Sequence, residues 1–353
     1  MNQLLPQLQS HFTHSPTWAE IWLRSKPKPH SYFIFESHGL SLIVYQYPLI
    51  QEQVFWLISS FGQLLDSPTT VEQLQVIMQD LINQARIQNN VVFVKTNWNP
   101  DFVESVFESS TIEDDSTLVT FFAQNIDCQM IRPAKNMQNN STILLDLTTI
   151  STPKYKKFNY QSDLLKFIDD SKDFWSKTST NIRRYTKKSL QQDWIIELGE
   201  DNFEAAFDLL ERKSKELKFF LHPRDIVRTV VNSECGHLVC IKDSEGQICG
   251  CWIGIHIDKT MLYWYGANNQ QSLNKYGQYL MHLTAIALTS QLDGELYDLG
   301  GYSPSLGFGK FKELYKGRIF HSYGDYDFVI KPAYYKLDKV LVWVKDLKKK
   351  ILS

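Results

Sequence analysis

Residues 296–312 read LYDLGGYSPSLGFGKFK: four glycines (Gly300, Gly301, Gly307 and Gly309) follow an apolar run, and the segment closes on Phe311-Lys312. A phosphate-cradling loop needs Gly, four residues, then Gly-Lys-Ser/Thr, but Gly309-Lys310 is followed by Phe311, which excludes a P-loop. Taken alone, these residues describe a glycine-rich turn carrying a snorkelling lysine. Four of the five cysteines (Cys235, Cys240, Cys249 and Cys251) fall in one short region. Their Cys-x4-Cys and Cys-x-Cys spacings are not those of a zinc knuckle. HLVCIKD and QICGCWIGIHI read instead as two strands of a hairpin turning at Asp243-Ser244-Glu245-Gly246, so free thiols in a reducing compartment and no metal are expected. No Ser-His-Asp order and no HExxH stands out. Arg183, Arg184, Lys187 and Lys188 pair at i and i+4 on a helical stretch, a stripe suited to an RNA backbone or to a solvated face.

With 353 residues and 43% apolar composition, the chain is read as two globular domains. No apolar run approaches the roughly 20 residues that span a bilayer, and MNQLLPQLQS lacks the pattern of a signal peptide. A cytoplasmic, monomeric protein is expected. The net charge of −2 is uneven: residues 1–150 hold 7 Lys/Arg and 14 Asp/Glu, and the rest of the chain carries +5. Residues 154–190 have ten Lys/Arg against four Asp, and residues 331–353 seven Lys against two Asp, blocks that suit a polyanion or a solvated surface.

The elements that must position these residues follow from periodicity. SYFIFES and LSLIVYQYPL read as strands, about Thr70–Gln88 as a helix, VVFVKTN as a strand, Asn99-Pro100 as a turn before a helix opening at Asp101, and TLVTFFA as a strand. TILLDL opens the second half. A basic helix from about Lys172 to Leu190, a helix Asn202–Leu217, the strands HLVCIKD, QICGCWIGIHI and TMLYWYGA, a helix Ser272–Leu292 with Leu273, Tyr276, Leu280, Leu283 and Ala287 inward, and the strand ELYDL follow. Three antiparallel strands, a helix and a parallel strand is the order of a GNAT-type acyltransferase domain. The fold expected is α/β (α+β): two tandem GNAT-like domains, each a mixed sheet flanked by helices, the first spanning 1–150 plus 325–353 and the second 151–324. The last segment is an amphipathic basic helix with Leu337, Val340, Leu341, Val344, Leu347 and Ile351 on one side. It is read as packing on the first domain, or as lying peripherally on the cytoplasmic membrane face through residues 336–351.

Several motifs, in order, resemble the Fem-type peptidoglycan bridge aminoacyltransferases (FemA, FemB, FemX). MQNNSTILLDL (137–147) is similar to the family's Gln-Pro-x-x-Thr-x-x-Leu-Asp-Leu, with Asn139 in place of Pro. FWSKTSTNIRRYTKKSL (174–190) is similar to its Lys-x-x-Arg-x-Asn-Ile-Arg-x-Ala-x-Lys, with Thr180 and Tyr185 as departures. YWYGANN, then LYDLGGYSPSLGFGKFKELYKG, resembles its Tyr-Asp-Phe-Gly-Gly strand end and Phe-Lys turn, and IKPAYYKLDKV its closing Asn-Pro-x-x-Tyr-x-Leu. The space between Asn202 and Cys240 excludes a coiled-coil arm, which points to the armless FemX type.

The resemblance implies transfer of an amino acid from aminoacyl-tRNA to the stem-peptide amine of a lipid-linked or UDP-linked muropeptide, with no cofactor. An aminoacyl ester is already activated, so alignment, proton removal and oxyanion stabilisation suffice. It implies that two central strands of the second sheet splay apart, that Gly300 and Gly301 let backbone come close to substrate there, and that Phe311 and Lys312 face substrate, Lys312 stabilising a tRNA phosphate or the oxyanion. Tyr265 stands where the family has a tyrosine near the acceptor, and Arg224, beside His222, where an arginine grips the precursor pyrophosphate. The family's Trp-Ala-x-x-Lys lysine is Trp22 here, with Arg24 or Lys26 as substitutes. Two other readings stay open. One is an acyl-CoA-dependent N-acyltransferase, although LNKYGQYL carries Gly277 without the second small residue of a CoA loop. The other is a binding module of the same fold without activity.

Overall fold

The computed structural model describes residues 16–24, 31–38, 40–61, 70–98, 116–134, 136, 141–150, 159–160 and 162–352. Its contacts divide the chain into two units, one over residues 141–320 and the other over residues 9–140 with 321–353. The first cut falls at 140 rather than the expected 150 because TILLDL is a strand of the second sheet, and the second falls at 320 rather than 324.

In the unit that holds the early residues, α1 (Pro16–Arg24) precedes β1 (Ser31–Ser37) and β2 (Leu40–Pro48). Their β-branched and aromatic runs pair antiparallel, Phe35 opposite Leu42. β3 (Val54–Phe61), not expected from the sequence, follows. α2 (Val71–Ile87) opens on a capping box in which the Thr70 hydroxyl takes the Gln73 N–H and Gln73 returns to the Thr70 N–H. Its buried Leu74, Ile77, Met78, Leu81, Ile82 and Ala85 repeat at helical spacing, and the chain returns as β4 (Val91–Trp98), parallel to β3. TLVTFFA is not a strand: it lies in α3 (Ser116–Asn125), which buries Leu118, Phe121 and Phe122. Those positions have helical spacing, and packing overrides the β propensity of the run. The turn at Asn99-Pro100 and the helix expected from Asp101 lie outside the described residues. β5 (Gln129–Ile131) ends this stretch.

The other unit begins with β6 (Ser141–Asp146). The expected basic helix is broken in two after α4 (Leu164–Asp170): α5 (Lys172–Lys177) and α6 (Thr180–Leu190) are separated where Ser179 caps α6 by accepting the Ile182 N–H. After β7 (Ile195–Leu198) come α7 (Phe203–Leu217) and α8 (Arg224–Val231), then β8 (Gly236–Lys242), β9 (Ile248–Ile257) and β10 (Thr260–Asn268). No coiled-coil arm stands among the described residues. The helix expected over 272–292 is α9 (Gln270–Asn274) and α10 (Gly277–Gln291), broken at Tyr276, whose φ is +60°. Leu273 is exposed on α9 as a result. β11 (Leu296–Gly301), α11 (Gly307–Glu313) and β12 (Arg318–His321) complete the unit. One face of its sheet packs on α4, α5, α6 and α10 and the other on α7 and α8.

β13 (Gly324–Val329) and α12 (Pro332–Leu352) return to the first-described unit. The sheet orders are β1-β2-β3-β4-β13-β5 and β7-β8-β9-β10-β11-β6-β12. Matched slot for slot, β6 fills beside β11 the place that β13 fills beside β4. The strand after β5 thus serves the second sheet, and the strand after β12 serves the first.

Candidate active site

The two parallel pairs differ. β3 and β4 stay in register from Val54↔Val91 to Phe61↔Trp98, with two irregularities. β10 and β11 pair only at Thr260↔Leu296, Met261↔Tyr297 and Leu262↔Asp298, although β10 runs on to Asn268 and β11 to Gly301. Beyond Leu262 the ladder stops, and β10 also carries a bulge between Tyr263 and Tyr265 on its β9 side. Bulges and unpaired strand ends free backbone groups for another partner. The expected splay is therefore found in one sheet.

At that opening Gly300 has φ +71°, and a Cβ there would stand 2.6 Å from the Tyr263 carbonyl oxygen. Only glycine fits this position. The Asp298 carboxylate accepts the Gly300 N–H at 2.7 Å and the Thr142 hydroxyl. Lys312, from α11, is buried, and its ammonium donates to the carbonyls of Gly300 (3.3 Å) and Gly301 (2.7 Å), 5.5 Å from the centre of the Tyr263 ring. An ammonium has three donors, of which these two carbonyls take two. Burial pulls the Lys312 pKa down to about 8, with Asp298 acting the other way. Burial pushes the Asp298 carboxyl up, against its hydrogen bonds and Lys312. Both shifts mark a site poor in water.

Three residues here escaped the sequence reading. His282 is buried on α10, its Nδ1 2.8 Å from the Tyr297 hydroxyl, which also accepts the Trp252 Nε1–H at 2.9 Å. Burial, with Lys312 adding to it, lowers the His282 pKa to about 3, so the ring is neutral. Tyr263 stands edge-on to it at 5.0 Å. The available signals were a carboxylate in the apolar strand LYDL, for Asp298, and a histidine in the apolar helix GQYLMHLTAIAL.

The other expected residues are dispersed. Phe311 packs into the core against Tyr279, His282 and Tyr315 at 5.3–5.7 Å. Tyr265 packs with the cluster on the opposite sheet face from His282 and Phe311. Its hydroxyl is 2.6 Å from His222 Nδ1 and accepts the His222 N–H at 3.2 Å, and burial raises its pKa to about 12. Arg224 is engaged by Glu204 (2.7 Å) and Asp208 (2.6 Å) and lies over the Phe207 ring, so a phosphate would have to displace two carboxylates. On α6, Arg183 donates to the carbonyls of Trp175, Ser176 and Thr178 at the end of α5, whereas Arg184, Lys187 and Lys188 are exposed. Arg184 and Lys188 lie over Tyr185 and Tyr276, two rings stacked at 4.8 Å. Lys26 lies outside the described residues, as do the side chains of Trp22 and Arg24. All five cysteines are free, and no group of metal-ligating side chains occurs among the described residues.

Residues 241–342 match the sequence model of the FemAB family. Among solved structures, the crystal structure of FemX is similar with a TM-score of 0.68, 11% identity and coverage of 93% of this chain and 94% of that one. L-PGS from Bacillus licheniformis has a TM-score of 0.51, 9% identity and coverage of 90% and 92%. A tandem GNAT protein from the clavulanic acid biosynthesis pathway has 0.50, 10%, and 92% and 90%. No curated protein matches. The matched span contains the splayed strands, the glycine turn and Lys312, and the chain therefore carries a FemAB-family region from residue 241 to residue 342 on a tandem GNAT fold shared with FemX.

Proposed function

We propose that the chain is an acyltransferase of the Fem type, moving an amino acid from aminoacyl-tRNA to the stem-peptide amine of a peptidoglycan precursor. The observation that carries this reading is Lys312 at the mouth of the β10–β11 opening, inside the family-matched region. The acceptor amine attacks the ester carbonyl, negative charge develops on the carbonyl oxygen, and the remaining Lys312 N–H is the donor that meets it. Collapse of the tetrahedral intermediate forms the amide and breaks the ester C–O bond, and the released tRNA ribose hydroxyl takes up the proton that the amine gives up. Asp298 holds the Gly300 turn on which Lys312 rests. The exposed cations Arg184, Lys187 and Lys188 serve the tRNA backbone. Incubation with several charged tRNAs and a lysine-containing muropeptide precursor tests the reading by mass of the product. Absence of any extended muropeptide would remove it.

Gly277 bears on the acyl-CoA alternative. A Cβ there would collide with the Ser272 hydroxyl, so this glycine serves the packing of α9 against α10 rather than the approach of a pyrophosphate. The second partner surface is α12. Its inner side is fixed by Tyr335, whose hydroxyl donates to Asp327 at 2.8 Å, and by Lys339, 3.3 Å from the same carboxylate. Leu337, Val340 and Leu347, which the packing alternative would bury, are exposed together with Trp343 at 63%, and Lys336, Lys345 and Lys348 border them. An apolar row with an aromatic and flanking lysines suits peripheral contact with an anionic leaflet, the place of a lipid-linked acceptor. Among the described residues no helix is long and apolar enough to cross a membrane.

A further inference from the structure

Away from the β10–β11 opening, a cavity of about 390 Å³ lies among α4, α5 and α6, lined by Ile168, Asp169, Lys172, Trp175, Ser176, Arg183, Thr186 and Lys187. Its wall is largely apolar, from Ile168, Trp175 and Thr186, and its charged lining is three cations against one carboxylate. Lys172 lies 4.0 Å from Asp169, while the partners of Arg183 are carbonyls and a hydroxyl, which leave its charge in place. Lys187 is exposed. Thr186 is 1% exposed and closes the cavity wall between Arg183 and Lys187.

We infer that this cavity binds one nucleotide of the RNA substrate, its base against the Ile168–Trp175 wall and its phosphate among Lys172, Arg183 and Lys187. A heteroaromatic ring offers an apolar face to that wall, and a phosphate answers the excess of positive charge. Arg183 and Lys187 sit on the same helix as Arg184 and Lys188, so the cavity is continuous with the cationic stripe assigned to the RNA backbone. The inference rests on the reading of the chain as tRNA-dependent, and it adds a base-sized contact where that reading has only charge.

The test measures binding directly, with the full chain and without transfer. Adenosine and uridine 5′-monophosphates, ribose 5-phosphate and UDP-N-acetylglucosamine are titrated by ligand-observed NMR in the millimolar range, alone and against uncharged tRNA. Ser176→Trp plugs the cavity from an exposed position outside the core, and its melting temperature should equal that of the wild type. The expected result is saturable nucleotide binding that tRNA displaces and that Ser176→Trp weakens about tenfold or more. Lys187→Ala, which leaves the cavity open, should weaken it by less. Three results would overturn the inference: no saturable binding, equal affinity for ribose 5-phosphate, or displacement by UDP-N-acetylglucosamine but not by tRNA. Nucleotide binding that behaves as expected in a chain that extends no muropeptide would keep this site and remove the proposed reaction. Product formation with nucleotide binding untouched by Ser176→Trp would do the reverse.

Discussion

The Lys312 ammonium lies 2.7 Å from the carbonyl oxygen of Gly301, so a side chain at the strand opening also ties down the turn that forms it. Lys312→Ala should lower kcat by about 10² to 10³, as for loss of an oxyanion donor. Unchanged turnover would take Lys312 out of the chemical step.

Burial also gives Lys312 a measurable link to pH. Its folded pKa is about 8 against an ordinary 10.5, so between those values the unfolded chain holds the proton more tightly. Stability from this group then rises with pH across that window. The melting temperature of the wild type should gain on that of Lys312→Met between pH 8 and 10.5. A constant difference would mean that Lys312 is not held in a dry site.

Histidines give the opposite limb. Burial lowers His282 to about 3 and His237 to about 4, and lowers His256 as well. Their contribution is complete above the ordinary value of 6.5 and is lost as pH falls toward the folded values. Unfolding by denaturant should show declining stability from pH 6.5 downward, and His237→Gln should flatten that decline. An unaltered slope would count against a buried neutral ring.

On α6 the four basic residues separate into two roles. Replacing Arg184 and Lys188 by alanine should weaken tRNA binding and reduce the salt slope by roughly 0.7 to 0.9 per lost contact, with little effect on melting. Arg183→Ala should lower the melting temperature, because it strips the carbonyls at the end of α5 of their donor. The stripe assignment fails if the double variant keeps its salt slope.

For α12, co-sedimentation with anionic vesicles at low salt should be lost in Leu337→Ser with Trp343→Ser, at unchanged melting temperature. Tyr335→Phe should instead destabilise the chain, by about 1 kcal/mol for a hydrogen bond. Failure of the intact chain to sediment with vesicles would favour a soluble, nucleotide-linked acceptor.

The strands and the order of elements were legible because alternating apolar runs and glycine turns are local signals. What tertiary packing decides was not. TLVTFFA has strand propensity and helical burial. Arg224 has the forked donors of a phosphate ligand, yet Glu204 and Asp208 on α7 reach it first. The apolar row of α12 fits packing or a membrane surface equally in sequence, and what decides between an inward and an outward row is that Tyr335 and Lys339 hold the helix. Lys95 was legible in principle as a charge inside VVFVKTN, and it meets Asp327 and Asp325 in the interior. Lys312 itself looked like a surface cation, and only the resemblance to a family singled it out.

The placement of β13 sets the order in which the chain can mature during synthesis. All six of its residues are buried between β4 and β5. Residues 141–320 include six strands of their own sheet and all but the last residue of the seventh, β12, so that unit can close before β13 has left the ribosome. The unit encoded first must wait with a central slot open, its β4 edge a template for wrong pairing. Limited proteolysis of a chain ending at residue 320 should therefore spare residues 141–320 and digest the residues before them; equal protection of both would refute this order. Until β13 emerges, a nascent chain carries a closed 141–320 unit and an unfinished companion, which makes the emergence of residues 324–329 the point at which synthesis most needs a chaperone.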